Sequence, residues 1–274
     1  MLPRFVQSEE PVSRHINIVS HYDDATLLDK SDKLIQIVKL KGLNCISRDA
    51  FSLDRYKIRI NNLLKGFSSE FACYFWEARR KVTDYPAGDY SEKYSKELND
   101  HYQNKIQSSK MFANDLYLAI ITKQPEGFIN QGFSLLHQFN QKLDGQLRSQ
   151  HLASRYDELC NVTRKVISAL ADYGCELLRV YEKNCVKFSA PLEFISQIIN
   201  ISPHSIPLVQ DNASTLLSRS RLLFNNHAGT VEFRAAAGNS RFAAMLAIKG
   251  YSPRTAQGML NEISKLKCEY LITQ

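Results

Sequence analysis

The stretch Lys110-Met-Phe-Ala-Asn-Asp-Leu-Tyr-Leu-Ala-Ile-Ile121 constrains the fold more than any other part of the chain. From Leu116 onward it is continuously apolar, and it is far shorter than the ~20 residues a helix needs to cross a bilayer. A short, near-continuous apolar run is what a central strand covered on both faces requires. Such a strand needs partner strands at its edges and helices over its faces. Partners are legible on the N-terminal side. Ile16–Tyr22, Ala25–Leu28 and Lys33–Leu40 are rich in β-branched residues and are separated by Asp23-Asp24 and Lys30-Ser-Asp32, so they read as hairpin strands ending at Lys41-Gly42. Phe71–Trp76 reads as a buried strand passing into Arg79-Arg80-Lys81. Later, Arg221–Phe224 and Thr230–Arg234 form a hairpin pattern through Asn225–Gly229, Phe242–Ile248 reads as a buried strand, and Cys268–Thr273 as a final one.

Helices are predicted between these strands. Asp49 starts one that runs to Lys65, with Phe51, Tyr56, Ile60 and Leu63 at helical spacing and Gly66 closing it. A polar helix follows over Ser91–Gln107, after a turn at Tyr85-Pro-Ala-Gly-Asp-Tyr90. The longest periodic stripe runs from Leu152 through Leu159, Val166 and Tyr173 to Tyr181, predicting one long helix around 152–182 that Gly174 interrupts. Pro191–Ile199 reads as a short helix, and Ser252-Pro253 as the start of another whose inner face is Ala256, Met259, Leu260 and Ile263. The fold class read from this order is α+β, with mixed or antiparallel sheets and packed helices. The expected organisation is an N-terminal α+β subdomain over 1–123, an irregular connection over 124–150, and a helical then α+β segment over 151–274.

Composition narrows the chemistry. The 274 residues carry a net charge of +7, with 44% hydrophobic and 23% charged residues, which excludes wholesale disorder. The charge permits an acidic partner, nucleic acid included, without requiring one. Six cysteines without a C-x-x-C pair read as buried free thiols rather than a disulfide framework or zinc site. No glycine is followed by lysine, so the phosphate-cradling P-loop is missing, and G-x-G, G-x-S-x-G and H-x-x-x-H are missing as well. No catalytic, cofactor-binding or metal-ligating residue is therefore assigned. Arg79, Arg80 and Lys81 beside Phe75-Trp76 form the one basic cluster that could face a membrane, phosphate or a partner; a solvated strand end is the plainer reading. Arg219 and Arg221, flanking Ser220, are too few to define a patch.

Four segments carry a family resemblance. They are the hairpin region Ile16–Gly42, the turn Tyr85–Tyr90 with Pro86 and Gly88, the strand Met111–Ile121 with Asn114, Asp115 and Tyr117, and Arg241–Leu260 followed by Glu269–Gln274. In this order they resemble the N-terminal region of the CagE/TrbE/VirB family of type IV secretion ATPases; Ala119 stands where the family commonly has threonine, and 124–150 matches poorly. The resemblance implies scaffold roles for Pro86, Gly88, Asn114, Asp115, Tyr117, Pro253, Thr255, Gly258 and Met259. It implies ATP and Mg for the full-length protein, bound in a later Walker-containing domain that this chain lacks, and an end at Gln274 that falls inside the family pattern. It further implies a docking and assembly role at the cytoplasmic face of the bacterial inner membrane. The partners it implies are other secretion subunits, a short membrane protein among them, with self-association of the full-length protein. The residues alone leave two alternatives open: a basic nucleic-acid-binding module, and an unrecognised α+β enzyme.

Overall fold

The computed structural model describes residues 10–43, 49–82, 88–108, 111–123, 141–209, 212–225, 228–235, 238, 240–247, 250, 263 and 265–274. The predicted helix at 252–263 lies almost wholly outside these residues, as does most of the turn at 85–90. The described residues form five helices and twelve strands, an α+β fold. The chain gathers into two compact units, each built from two sequence segments: 1–74 with 118–246, and 75–117 with 247–274.

In the first unit, strands β1 (Ile18–His21), β2 (Thr26–Asp29) and β3 (Leu34–Leu40) form an antiparallel meander. The carboxylate of Asp29 accepts from the N–H groups of Ser31 and Lys33 at 2.7 and 2.8 Å, which shapes the β2–β3 turn and lets Asp32 adopt φ 58°. Strand β3 is the centre of the core, with Leu34, Ile37 and Val38 fully buried. It pairs with β2 through 34–36 and with β6 (Cys175–Leu177) through 38–40. The C-terminal half of β5 (Phe112–Thr122) lies beside it, and Leu118 and Ile120 are fully buried there. The expectation of a strand covered on both faces therefore holds for 117–120, while the N-terminal half of β5 is partly or fully exposed.

Helix α1 (Ala50–Lys65) matches its predicted bounds, but Asp49 makes no side-chain cap and Gly66 ends the helix in a right-handed conformation. Helix α3 (Gln141–Ala169) packs on β3 and α1, burying Leu152, Leu159, Thr163 and Val166. Its extent corrects the expected 152–182 helix at both ends. Residues 141–150, read as part of an irregular connection, are its first turns. Beyond Ala169 the chain makes a 3-10 turn, reverses at Gly174 with φ 65°, and enters β6 and then the hairpin β7 (Val180–Lys183) and β8 (Val186–Ser189). The α-helix has ended by Leu170, whose φ is −105°; the left-handed Gly174 closes the 3-10 turn that follows, and Lys41 and Gly42 donate their N–H groups to the Tyr173 carbonyl beside it. Leu177 and Tyr181 continue the apolar stripe only by coincidence of spacing.

Helix α4 (Ala190–Asn200) starts as the proline predicts, with Ser189 Oγ capping the Leu192 N–H. A short α5 (Ala213–Leu217) leads to a separate antiparallel sheet in the order β11 (Ser240–Ala244), β10 (Thr230–Ala235), β9 (Ser220–Asn225). Strand β11 is shorter than expected, and Phe242, Met245 and Leu246 are exposed rather than buried.

In the second unit the strand order is β5, β4 (Phe71–Lys81), β12 (Tyr270–Thr273), with β4 and β12 antiparallel. Helix α2 (Lys93–Ser108) belongs to this unit. Strand β4 runs five residues past the Trp76 expected as its end, so the basic cluster lies within a strand.

Candidate functional site: a polar ladder on β5, β4 and β12

Strand alternation sorts the basic cluster. Glu77 and Arg79 point to one face of β4 and Arg80 to the other. Pairing with β12 sets Arg79 opposite Tyr270 and Glu77 opposite Ile272. On the first face, one carboxylate oxygen of Glu77 accepts from the Asn114 amide and from the Tyr270 hydroxyl, both at 2.8 Å. Arg79 Nη1 donates to Asn114 Oδ1 at 3.3 Å. Its guanidinium lies 4.7 Å from the Phe112 ring centroid and 5.7 Å from that of Tyr270, a cation–π sandwich. On the opposite face Arg80 Nε donates to Asp115 at 2.8 Å. The Lys81 backbone N–H donates to Glu269 at 2.9 Å. Burial and the Glu77 carboxylate hold the Tyr270 hydroxyl above its usual range, against the pull of Arg79.

The structure therefore brings together five of the residues singled out by sequence: Arg79, Arg80, Lys81, Asn114 and Asp115. Glu77, Phe112, Glu269 and Tyr270 complete the ladder. Glu77 could not be found from sequence, because its partners lie 37 and 193 positions away. Asp115 is ion-paired with Arg80, and Glu77 and Glu269 lie in the same ladder, bonded to Asn114 and Tyr270 and to the Lys81 backbone, so the cluster is a hydrogen-bonded network and not a bare cationic patch. Tyr117 is a core residue. At Gly88 an added Cβ would meet the Tyr90 ring at 2.6 Å, so the glycine makes room for that ring. Pro86, Pro253, Thr255, Gly258 and Met259 lie outside the described residues.

A second cluster in the first unit tests the enzyme alternative. His21 Nε2 is 2.7 Å from Ser189 Oγ, and His21 Nδ1 is 2.9 Å from the Asp23 carbonyl. A serine–histidine pair so oriented is the raw material of a nucleophile, but Ser189 is fully buried and its oxygen already caps α4. The pair fastens β1 to α4. Beside it the Asp23 carboxylate accepts from Tyr156 at 2.6 Å and from the N–H groups of Ala25 and Thr26. Burial pushes this carboxyl up, but the hydrogen bonds from Tyr156, Thr26 and the backbone outweigh it and leave it below its ordinary range. The described cysteines are free, as expected, yet none is fully buried; Cys185 and Cys268 are exposed. Burial pushes the Cys73 thiol up to about 11, away from the reactive thiolate. Among the described residues no group of three or more His, Cys, Asp or Glu side chains is placed to hold a metal, and no helix is long and apolar enough to cross a membrane.

Two family comparisons match this architecture. Residues 25–128 match the type IV secretion system ATPase VirB4/TrbE, N-terminal domain, and residues 176–274 match the CagE, TrbE, VirB family, a component of the type IV transporter system. The chain belongs to the CagE/TrbE/VirB family. Among its relatives, the type IV secretion system protein VirB4 of Bartonella henselae is 26% identical over 95% of this chain and 33% of its own length. The VirB4 protein of Bartonella quintana is 24% identical over 98% of this chain and 34% of its own. PtlC of Bordetella pertussis, also a type IV secretion system protein, is 22% identical over 97% of this chain and 32% of its own. The chain thus spans about a third of the length of the curated relatives it matches. The first family match contains Glu77, Arg79, Arg80 and Asn114, and the second contains Glu269 and Tyr270. The ladder is one place where the two matched stretches meet; the pairing of β3 with β6 is another.

Proposed function

We propose that this chain is the docking and assembly module of a VirB4-type secretion ATPase and performs no nucleotide chemistry itself. The observation that carries the reading is the ladder. Two stretches almost 200 residues apart are joined by the pairing of β4 with β12, with Glu77, Asn114 and Tyr270 bonded across it and Arg80 ion-paired with Asp115. Such a network fixes the geometry of a scaffold and leaves its surroundings available for protein contacts. In this reading ATP and Mg are used by the remainder of a full-length family protein. The partners are secretion subunits at the cytoplasmic face of the bacterial inner membrane, including a short membrane protein, together with further copies of the ATPase. The module helps energise substrate translocation and pilus assembly by holding the motor in place.

The test is co-purification of the tagged chain with the inner-membrane secretion subunits, paired with an ATPase assay of the purified chain. The expected result is capture of those subunits and no turnover. Turnover that a point substitution within this chain abolishes would overturn the non-catalytic reading. Failure to capture any inner-membrane subunit would overturn the docking reading.

A further inference from the structure

Helix α1 (Ala50–Lys65) has two apolar aspects, and the fold uses one of them. Leu53, Tyr56, Ile60 and Leu63 are partly buried and form the inner face, where the Tyr56 ring meets that of Tyr173 edge-on at 5.9 Å. Phe51, counted with that stripe in the sequence, lies elsewhere. It falls on one line with Arg55, Ile58, Asn62 and Lys65, at offsets of 4, 7, 11 and 14 residues that keep to one side of a helix. All five are exposed, Phe51 by 71% and Ile58 by 57%. The helix carries four cations and one acid, Asp54. Arg59 is ion-paired with Asp172, whereas Arg55, Lys57 and Lys65 are exposed and make no ion pair among the described residues. Two bulky apolar side chains, two helical turns apart, thus stand in solvent among unpaired cations.

From this pattern we infer that the outer face of α1 lies on an anionic phospholipid surface, with Phe51 and Ile58 inserted at the acyl boundary and Arg55, Lys57 and Lys65 at the level of the phosphates. The cations complement the negative headgroups, and the long Arg and Lys stems let the charges reach them while the helix lies flat. Other partners fit the pattern less well. A protein groove that takes a helix needs a continuous apolar stripe at spacings of three and four, and here Arg55 and Asn62 interrupt it. Nucleic acid would engage the cations but leave Phe51 and Ile58 in water. With two apolar anchors and three cations the binding is reversible and depends on lipid charge, each cation near such a surface contributing about fivefold. The inference rests on the docking reading, which brings the chain to a membrane, and names the element that touches the lipid.

The test is co-sedimentation of the whole 274-residue chain with vesicles of phosphatidylglycerol and phosphatidylcholine, compared with phosphatidylcholine alone. The chain is expected to bind the anionic vesicles alone and to bind them less as salt is added. Arg55→Glu with Lys65→Glu, and separately Phe51→Ser with Ile58→Ser, should each weaken partitioning at least ~tenfold. These side chains are exposed, so both double variants should keep the circular dichroism of the parent chain. In Phe51→Trp, vesicles with brominated acyl chains should quench emission beyond the quenching of Trp76 in the unsubstituted chain. Absence of partitioning, partitioning unchanged by either double variant, or no added quenching would overturn the assignment. So would a duplex oligonucleotide whose binding the charge reversal weakens more than it weakens vesicle binding. Absence of partitioning with subunit capture intact overturns the lipid contact alone. Absence of capture with partitioning intact overturns the docking reading alone.

Discussion

The hydrogen bond between Tyr270 and Glu77 links side chains of the two family-matched stretches, and a double-mutant cycle measures it. Tyr270→Phe removes one charge-assisted O–H···O bond of 2.8 Å while Glu77 keeps Asn114. Such a bond contributes about 1.5–3 kcal/mol when fully buried. Tyr270 and Glu77 are both only half-buried, so the expected loss is nearer 1 kcal/mol. Glu77→Ala removes both bonds and the carboxylate nearest Arg79, with an expected cost of about 2 kcal/mol. If the two side chains act through each other, the double variant loses about 1 kcal/mol less than the sum of the single losses. The assay is built into the protein. The single tryptophan, Trp76, sits in β4 opposite Thr273, so its fluorescence in urea reports this unit. Additivity of the two substitutions to within ~0.3 kcal/mol would refute the coupling, and with it the view that this side-chain bond reinforces the pairing of β4 with β12.

Three further outcomes follow from the first unit. Asn200→Ala leaves the Leu217 carbonyl and the Arg219 and Ser220 N–H groups without their buried partner, so a loss of about 2–4 kcal/mol is expected; amide exchange in β9 should speed up more than in β3, and uniform acceleration would contradict the anchoring role. Gly174→Ala forces a side chain into φ 65° with its Cβ 3.1 Å from the Lys41 side chain; a melting-temperature decrease corresponding to about 1–2 kcal/mol is expected, and an unchanged value would count against the left-handed reversal. Asp23 has a folded-state pKa below its unfolded value, so its contribution is present above the unfolded pKa of about 4 and lost as pH falls through the folded value. Tyr156→Phe should therefore flatten the stability curve below about pH 4, as well as costing about 1 kcal/mol at neutral pH; an unchanged acid limb measured by urea titration would show that Asp23 does not depend on this bond.

What was legible in the sequence follows the range over which each feature is determined. The meander β1–β3 was readable because β-branched residues and the Asp29–Lys33 turn act within a few positions. Helix α1 and the proline-started α4 were readable for the same reason. Helix α3 was misplaced because its first turns, Gln141–Gln150, are mostly polar and give no apolar stripe, whereas Leu177 and Tyr181 happen to extend one. The helix has ended by Leu170 and the left-handed Gly174 then turns the chain into β6, and a glycine in a sequence does not disclose its φ. The ladder was hidden for a different reason. Arg79-Arg80-Lys81 looks like one cationic cluster only while it is read as a line. Strand geometry sends Arg79 and Arg80 to opposite faces, and β5 returns an amide oxygen, Asn114, to the first and a carboxylate, Asp115, to the second.

The same geometry acts in the opposite sense on Arg219 and Arg221. Read linearly they are two charges, too few for a patch, yet the β9–β10 register adds Arg234 directly across from Arg221 and sets all three in one alternation. Glu232, on that face, accepts from Arg234 and Ser240. A net charge of +7 thus says little by itself about where a partner binds. Arginines that cluster in sequence are sent to opposite faces by the fold, and arginines that look isolated are brought into register by it. Pairing register, rather than charge count, decides which charges face one another.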